Sequence, residues 1–269
     1  MKLKITTYII AICFWIFWDK VVAKVMLGFL LNLKFIPPNI SYAIVLLLPF
    51  VLLYELVGKL IMLQVIPDKL KFELIKVEEI KEVDHINLDA YTKTLESLGF
   101  VKLVDLQLSE SSLVVGRLFS HSKYLCFAEV SQVIGRTPIT CTIHSALEKN
   151  WTVSFTNREL NSLAAASYAF SRHPKRLLVY KPNAFSQDLV KAHLNFRQKM
   201  MTDLHLELLP DISLELYYSY SQKSRTEMKK AICCKSIIVG QIETWLFALK
   251  SEAEKSQWLG DYARIAARN

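Results

Sequence analysis

The chain has 269 residues, 33 Lys and Arg against 25 Asp and Glu for a formal charge of +8, 52% apolar side chains and only seven glycines. The charge looks like a nucleic-acid signal until it is divided: positions 1–67 hold six basic and two acidic residues, and the rest of the chain is left with +4. With no aromatic single-strand platform and no helix-turn-helix pattern, no nucleic-acid partner is expected. The glycines are scattered, Gly99 and Gly116 being the nearest pair, so neither a P-loop nor a GxGxxG loop can be written.

The first apolar stretch, Ile5 to Trp18, carries no charge. Alone it rises about 21 Å, short of roughly 30 Å of hydrocarbon. Extended from Lys4 to Lys24 it reaches about 30 Å, with both lysines able to snorkel into the headgroups. The second stretch, Ile36 to Tyr54, is also free of charge and stays apolar past Glu55 and Lys59 to Ile66. Pro37 and Pro38 between them suit the tip of a hairpin. The expectation is a transmembrane hairpin in residues 1–67, with spans at about 4–24 and 40–62. Folding there would level Asp19 and Lys20 with Glu55 and Lys59 as a compensating intramembrane charge cluster, since isolated charges cost about 2.5–3.5 kcal/mol each on insertion scales. The alternative leaves all four at the interface, in water.

Met1–Lys4 also resembles the basic start of a signal peptide, with a weak cleavage site at Val21-Val22-Ala23, but the bulky run Phe14 to Trp18 argues against cleavage. Lysines 2, 4, 59, 69 and 71 flank the outer ends against 20, 24 and 34 on the inner connection, which places both termini in the cytoplasm. The cysteines show no disulfide or zinc spacing, and Cys233 and Cys234 are expected as buried small hydrophobes.

Residues 68–269 read as one soluble α+β domain. Leu88, Tyr91, Leu95 and Leu98 recur at helical spacing, with Asn87 or Asp89 as cap and Gly99 as stop. Five strand-like runs follow, at 100–108, 113–120, 124–132, 139–145 and 151–156; their short connections predict an antiparallel meander. Another strand is expected at Leu177 to Tyr180. Three helices then follow: from Ser186 to about His205, from Pro210-Asp211 to about Lys235, and from Gln241 to about Trp258. Ile242, Trp245, Leu246, Leu249 and Ala253 form the inner face of the last. These C-terminal helices are expected to cover the apolar side of the sheet, while 157–170 reads equally as loop or Ala-rich helix.

Strict alternation leaves Thr140, Thr142, His144, Thr152, Ser154 and Thr156 on one polar face. If Glu129 joined His144 there, a carboxylate and an imidazole would be available for general acid/base work, so these two are the candidate catalytic residues and Thr140, Thr142, Thr152 and Ser154 the candidate binding residues. A half-solvated antiparallel sheet produces the same alternation with no function attached. Arg172, Lys175 and Arg176 form a basic loop that can lie against anionic headgroups, as can a basic helix face at Lys223, Arg225, Lys229 and Lys230. The six histidines show no HxH, HxxxH or HExxH spacing, so neither a metal nor a cofactor is expected. The stretch Trp151–Asn157, with the amphipathic helix holding His193, resembles segments of uncharacterised bacterial membrane-anchored domains; the resemblance implies architecture and no site.

The function expected from these features is that of a membrane-anchored, cytoplasmic binding or scaffold module, with the lipid bilayer and another membrane or cytoplasmic protein as partners. The alternative is a membrane-associated hydrolase or transferase acting on a lipid-linked substrate.

Overall fold

The computed structural model describes residues 18, 22–32, 37–66, 72–108, 114–134 and 138–267. The described residues divide into two compact units, one of those up to 66 together with Ile232–Val239, the other of 72–231 and 240–267.

The first unit is built on α1, Ala23–Asn32, and α2, Pro38–Val65. Pro38 opens α2 at a position where its missing N–H costs nothing, with Pro37 extended before it. The 28 residues of α2 rise about 42 Å and carry one proline in the interior, Pro49, without a break. Residues 38–64 form a helix long and apolar enough to cross a membrane, with a mean hydropathy of 2.2. Ile40, Tyr42, Leu46, Leu47, Phe50 and Tyr54 stand exposed along it, as they do not on the core helix of a soluble domain. Most of the expected first span, 4–24, lies outside the described residues; α1 rises about 15 Å, too little to cross by itself. The Trp18 indole N–H donates to the Val45 carbonyl at 3.3 Å.

Asp19 and Lys20 lie outside the described residues, so of the expected cluster only Glu55 and Lys59 are described. The Glu55 carboxylate accepts from the Ile237 N–H at 2.7 Å, the Ile238 N–H at 2.9 Å and the Ser236 hydroxyl. Lys59 donates to the Cys233 carbonyl at 3.0 Å. A helix N-terminus offers unpaired N–H groups and a partial positive charge, which suit it to receive a carboxylate. Cys233 and Cys234 are exposed, not buried as expected.

The second unit is an eight-stranded sheet in sequential order: β1 Phe72–Leu74, β2 Val101–Leu108, β3 Val114–His121, β4 Cys126–Val133, β5 Thr140–Leu147, β6 Trp151–Thr156, β7 Arg176–Tyr180 and β8 Gln257–Trp258. Neighbours are antiparallel except β6 and β7, which pair in parallel. That pairing needs a crossover, and the ambiguous 157–170 segment supplies it as helix α4, Ser162–Ser171. The helix before β2, α3, is His85–Ser97; Asp84, not Asn87 or Asp89, caps it by accepting the Asn87 N–H at 3.1 Å. Gly99 follows it at φ +89°, the left-handed stop expected of it.

Helices lie on both faces of the sheet. On one, Phe119, Val130, Ile143, Val153 and Leu177 pack against α3 and against α5, Ser186–Leu204. The other face was expected to be solvated over β5 and β6; α6, Leu214–Cys234, runs over it instead. The reason is that β2–β4 present Leu106, Leu118 and Phe127 on that face, and Tyr217 of α6 is buried among them. The alternation in β5 and β6 alone gave no sign of this apolar ground.

The expected helix 241–258 is broken. It comprises α7, Ile237–Ala248, then the short α8, Glu252–Ser256, opened by a capping box of Ser251 and Glu254, and then β8. A last turn, α9, is Tyr262–Ala266. Of the face expected to point inward, Ile242 and Leu246 are exposed, Ala253 too, and Trp245 and Leu249 are 64% and 82% exposed, while Phe247 is buried against Tyr168 and Trp258.

Candidate functional site

Between the second sheet face and α6 lies a cleft of about 510 Å³, within the size range of ligand pockets. Glu129 on β4, Thr142 and His144 on β5, and Thr152 and Ser154 on β6 line it from the sheet. They share a face because the register sets Glu129 opposite Thr142 and His144 opposite Ser154. From α6 come Tyr217, Ser221, Ser224, Arg225 and Met228, a stripe at spacings of three and four residues.

The helix runs across the strands. The Tyr217 hydroxyl donates to Glu129 Oε2 on β4 at 2.6 Å, while Arg176 on β7 donates to Ser224 Oγ at 2.7 Å and to the Glu227 carboxylate. Ten residues of helix rise about 15 Å, and three strand spacings cover about 14 Å, so the two anchor points match. The Tyr217 end is apolar, with Phe72 and Phe127 ring centroids 6.1 and 5.7 Å from that of Tyr217. Toward β6 and β7 the lining turns basic with Arg158, His173 and Arg176, and a second cavity of about 650 Å³ shares those residues.

His144 stacks on Phe127 with centroids 5.2 Å apart and stands 5.5 Å from the Tyr217 ring. Burial lowers its imidazole to about 4, against the opposing pull of Glu129, so the ring is neutral at physiological pH. Burial and the Glu129 charge together push the Tyr217 phenol well above its ordinary value. The hydroxyls are engaged with one another: Thr142 donates to Thr156 Oγ1 at 3.0 Å. Thr140 donates to the Ser131 carbonyl at 3.2 Å and is not part of the cleft lining.

The three residues of the expected lipid-facing loop differ in position. Arg172 pairs with Glu243 at 3.3 Å and lies over the Tyr168 ring, and Lys175 donates to the Lys149 carbonyl at 3.0 Å. Arg176 turns into the cleft, where Ser224 and Glu227 hold it. Tyr217, Ser221, Ser224 and Arg158 were missed from the sequence, although the first three lie on one helical stripe; Arg225 was noticed only as part of a basic outer face.

A serine–histidine pair does occur, away from the cleft. Ser145 Oγ is 2.9 Å from His193 Nε2, and Arg197 donates to the same oxygen at 2.8 Å and to the Tyr124 carbonyl at 2.5 Å. His193 is fully buried in the core, and burial, reinforced by Arg197, pushes it well below its ordinary value. Neither residue lines either of the two cavities described above, and the bonds of the pair brace the β3–β4 turn, where Leu125 sits at φ 48°. The described residues contain no group of three His, Cys, Asp or Glu able to hold a metal ion. Buried Cys126 and Cys141 have thiols raised to about 12 by desolvation.

Neither family models, nor curated proteins, nor solved structures match this chain.

Proposed function

We propose that this chain is a membrane-anchored binding module: a two-helix N-terminal hairpin holds it in the bilayer with both termini in the cytoplasm, and the cleft between the sheet and α6 receives its ligand. The observation that carries the ligand site is that cleft, roofed by a helix on a face whose β5–β6 hydroxyl pattern needed no cover. The length and exposed apolar surface of α2 support the anchor, and the exposed Trp245, Leu246 and Leu249 support lipid contact by α7. A membrane or cytoplasmic protein partner fits the same tethered arrangement, because tethering raises local concentration.

The second reading is an enzyme acting on a lipid-linked substrate. What favours it is a neutral His144 beside Glu129, a pair suited to proton transfer. Against it, no hydroxyl is hydrogen-bonded to the His144 ring among the described residues, and the one serine–histidine pair described above is sealed in the core.

The test is purification of the full-length chain from membranes with mass analysis of whatever remains bound, beside a Ser154→Trp variant that fills the cleft. A compound carried by the native chain and absent from the variant supports the reading. Equal retention in both, or nothing carried by either, overturns it.

A further inference from the structure

We propose that the cleft takes an amphiphile of net negative charge that ends in a phosphate monoester, its anionic group received by Arg225 and Arg158 and its apolar part lying toward Phe72, Leu106 and Tyr217. This rests on the reading of the cleft as the ligand site and adds the chemical class of the ligand.

The argument starts from charge. Arg158, Arg176, Lys223 and Arg225 line the cleft against only Glu129 and Glu227. Most of these groups are already answered. Glu227 pairs with Arg176, Lys223 donates to Asn150 Oδ1 at 2.7 Å, and Glu129 accepts the Tyr217 hydroxyl. Two guanidinium groups remain. Among the described residues neither Arg158 nor Arg225 has a side-chain hydrogen bond or a carboxylate partner.

Arg225 is the more telling of the two. It is partly buried, on the stripe that faces the sheet, and burial lowers its ordinary value. An arginine has a long stem with which to reach water, so a half-buried guanidinium without a counter-charge is a cost that a ligand anion would remove. Its planar fork matches two oxygens of a phosphate.

The apolar half of the ligand follows from the other end. Tyr217 and Arg225 are eight residues apart on one helix, about 12 Å of rise. Over that distance the lining changes from the Phe72, Leu106 and Tyr217 group to cationic side chains. A bare inorganic ion would use only one end of such a groove.

The experiment titrates the full-length protein in neutral detergent with three probes: dihexanoyl phosphatidate, dihexanoyl phosphatidylcholine and inorganic phosphate. Phosphatidate should bind at least about tenfold more tightly than either of the others, one charge-assisted contact being worth roughly that factor. Arg225→Gln and Arg158→Gln should each weaken phosphatidate about tenfold, Arg225→Lys less, and Lys191→Gln, exposed on α5, not at all. Should Arg225→Gln melt early without ligand, the exposed Arg158 carries the test. Equal affinity for phosphatidate and phosphatidylcholine, equal loss in the Lys191 variant, or inorganic phosphate binding as tightly as phosphatidate overturns the proposal. If Ser154→Trp sheds the co-purified compound while both arginine variants bind phosphatidate unchanged, the cleft stands as a ligand site and its anionic assignment falls. If Ser154→Trp sheds nothing, the cleft reading itself falls.

Discussion

Acidification should destabilise the sheet domain through His144, and the size of the effect follows from its surroundings. In the folded chain the imidazole is lowered to about 4, because protonation would put a cation between Phe127 and Tyr217; unfolded, it returns to about 6.5. Between those values the unfolded chain binds more protons, so the folded state is fully favoured above about pH 6.5 and loses stability as pH falls toward 4. At 1.36 kcal/mol per unit, the loss by pH 5 is about 2 kcal/mol from this one group. His193, pushed down in the same direction, adds to the wild-type loss, so the comparison is with His144→Gln, which keeps His193. Urea unfolding of the full-length chain in detergent, followed through buried Trp151 and Trp258, gives the stability at pH 7 and pH 5. The variant should lose about 2 kcal/mol less than the wild type between these two values. Equal losses would show that His144 is not held neutral by burial and would refute the description of the cleft floor.

Tyr217→Phe removes the donor to Glu129 and should cost about 1–3 kcal/mol in the same urea assay, the penalty of a partly buried acceptor losing its partner. Arg117 donates to buried Asp105 at 2.7 Å and pairs with Glu78; among the described residues Arg117→Ala leaves Asp105 only Lys102, at 2.6 Å, as an ion-pair partner and should cost about 1–3 kcal/mol. Glu55→Ala strips the cap from α7, and hydrogen exchange at the Ile237 and Ile238 amides should accelerate, with those of α5 unchanged. In vesicles with brominated acyl chains, part of the tryptophan emission should be quenched, and Trp245→Phe should diminish that part, the remainder belonging to Trp15 and Trp18 of the proposed first span; undiminished quenching would remove α7 from the bilayer surface.

Residues that need only their neighbours in sequence were legible. The apolar run of α2 announces itself because a helix satisfies its own backbone, whatever surrounds it. The β5–β6 hairpin was readable from alternation, α5 from its stripe, and the stop at Gly99 from the left-handed conformation it permits. The shared face of His144 and Glu129 also followed from period-two geometry, given only that β4 and β5 pair.

What tertiary structure alone decided is what covers each face. Ile242, Trp245, Leu246 and Leu249 have the spacing of a core stripe, yet Phe247 is the residue buried, because periodicity marks an apolar side without naming its partner. The short β8 pairs with β7, and two residues carry too little pattern to be recognised as a strand. Glu55 meets Ser236 and Ile237 across some 180 positions of chain, a distance at which no local signal operates. The sequence by itself determined most of the helices and strands and the candidate span of α2, since those depend on local sterics and on the period of apolar residues. Only the folded chain decided that α6 closes over the hydroxyl face and turns Arg225 and Arg176 into the cleft, because that depends on Leu106, Leu118 and Phe127 being gathered from three separate strands.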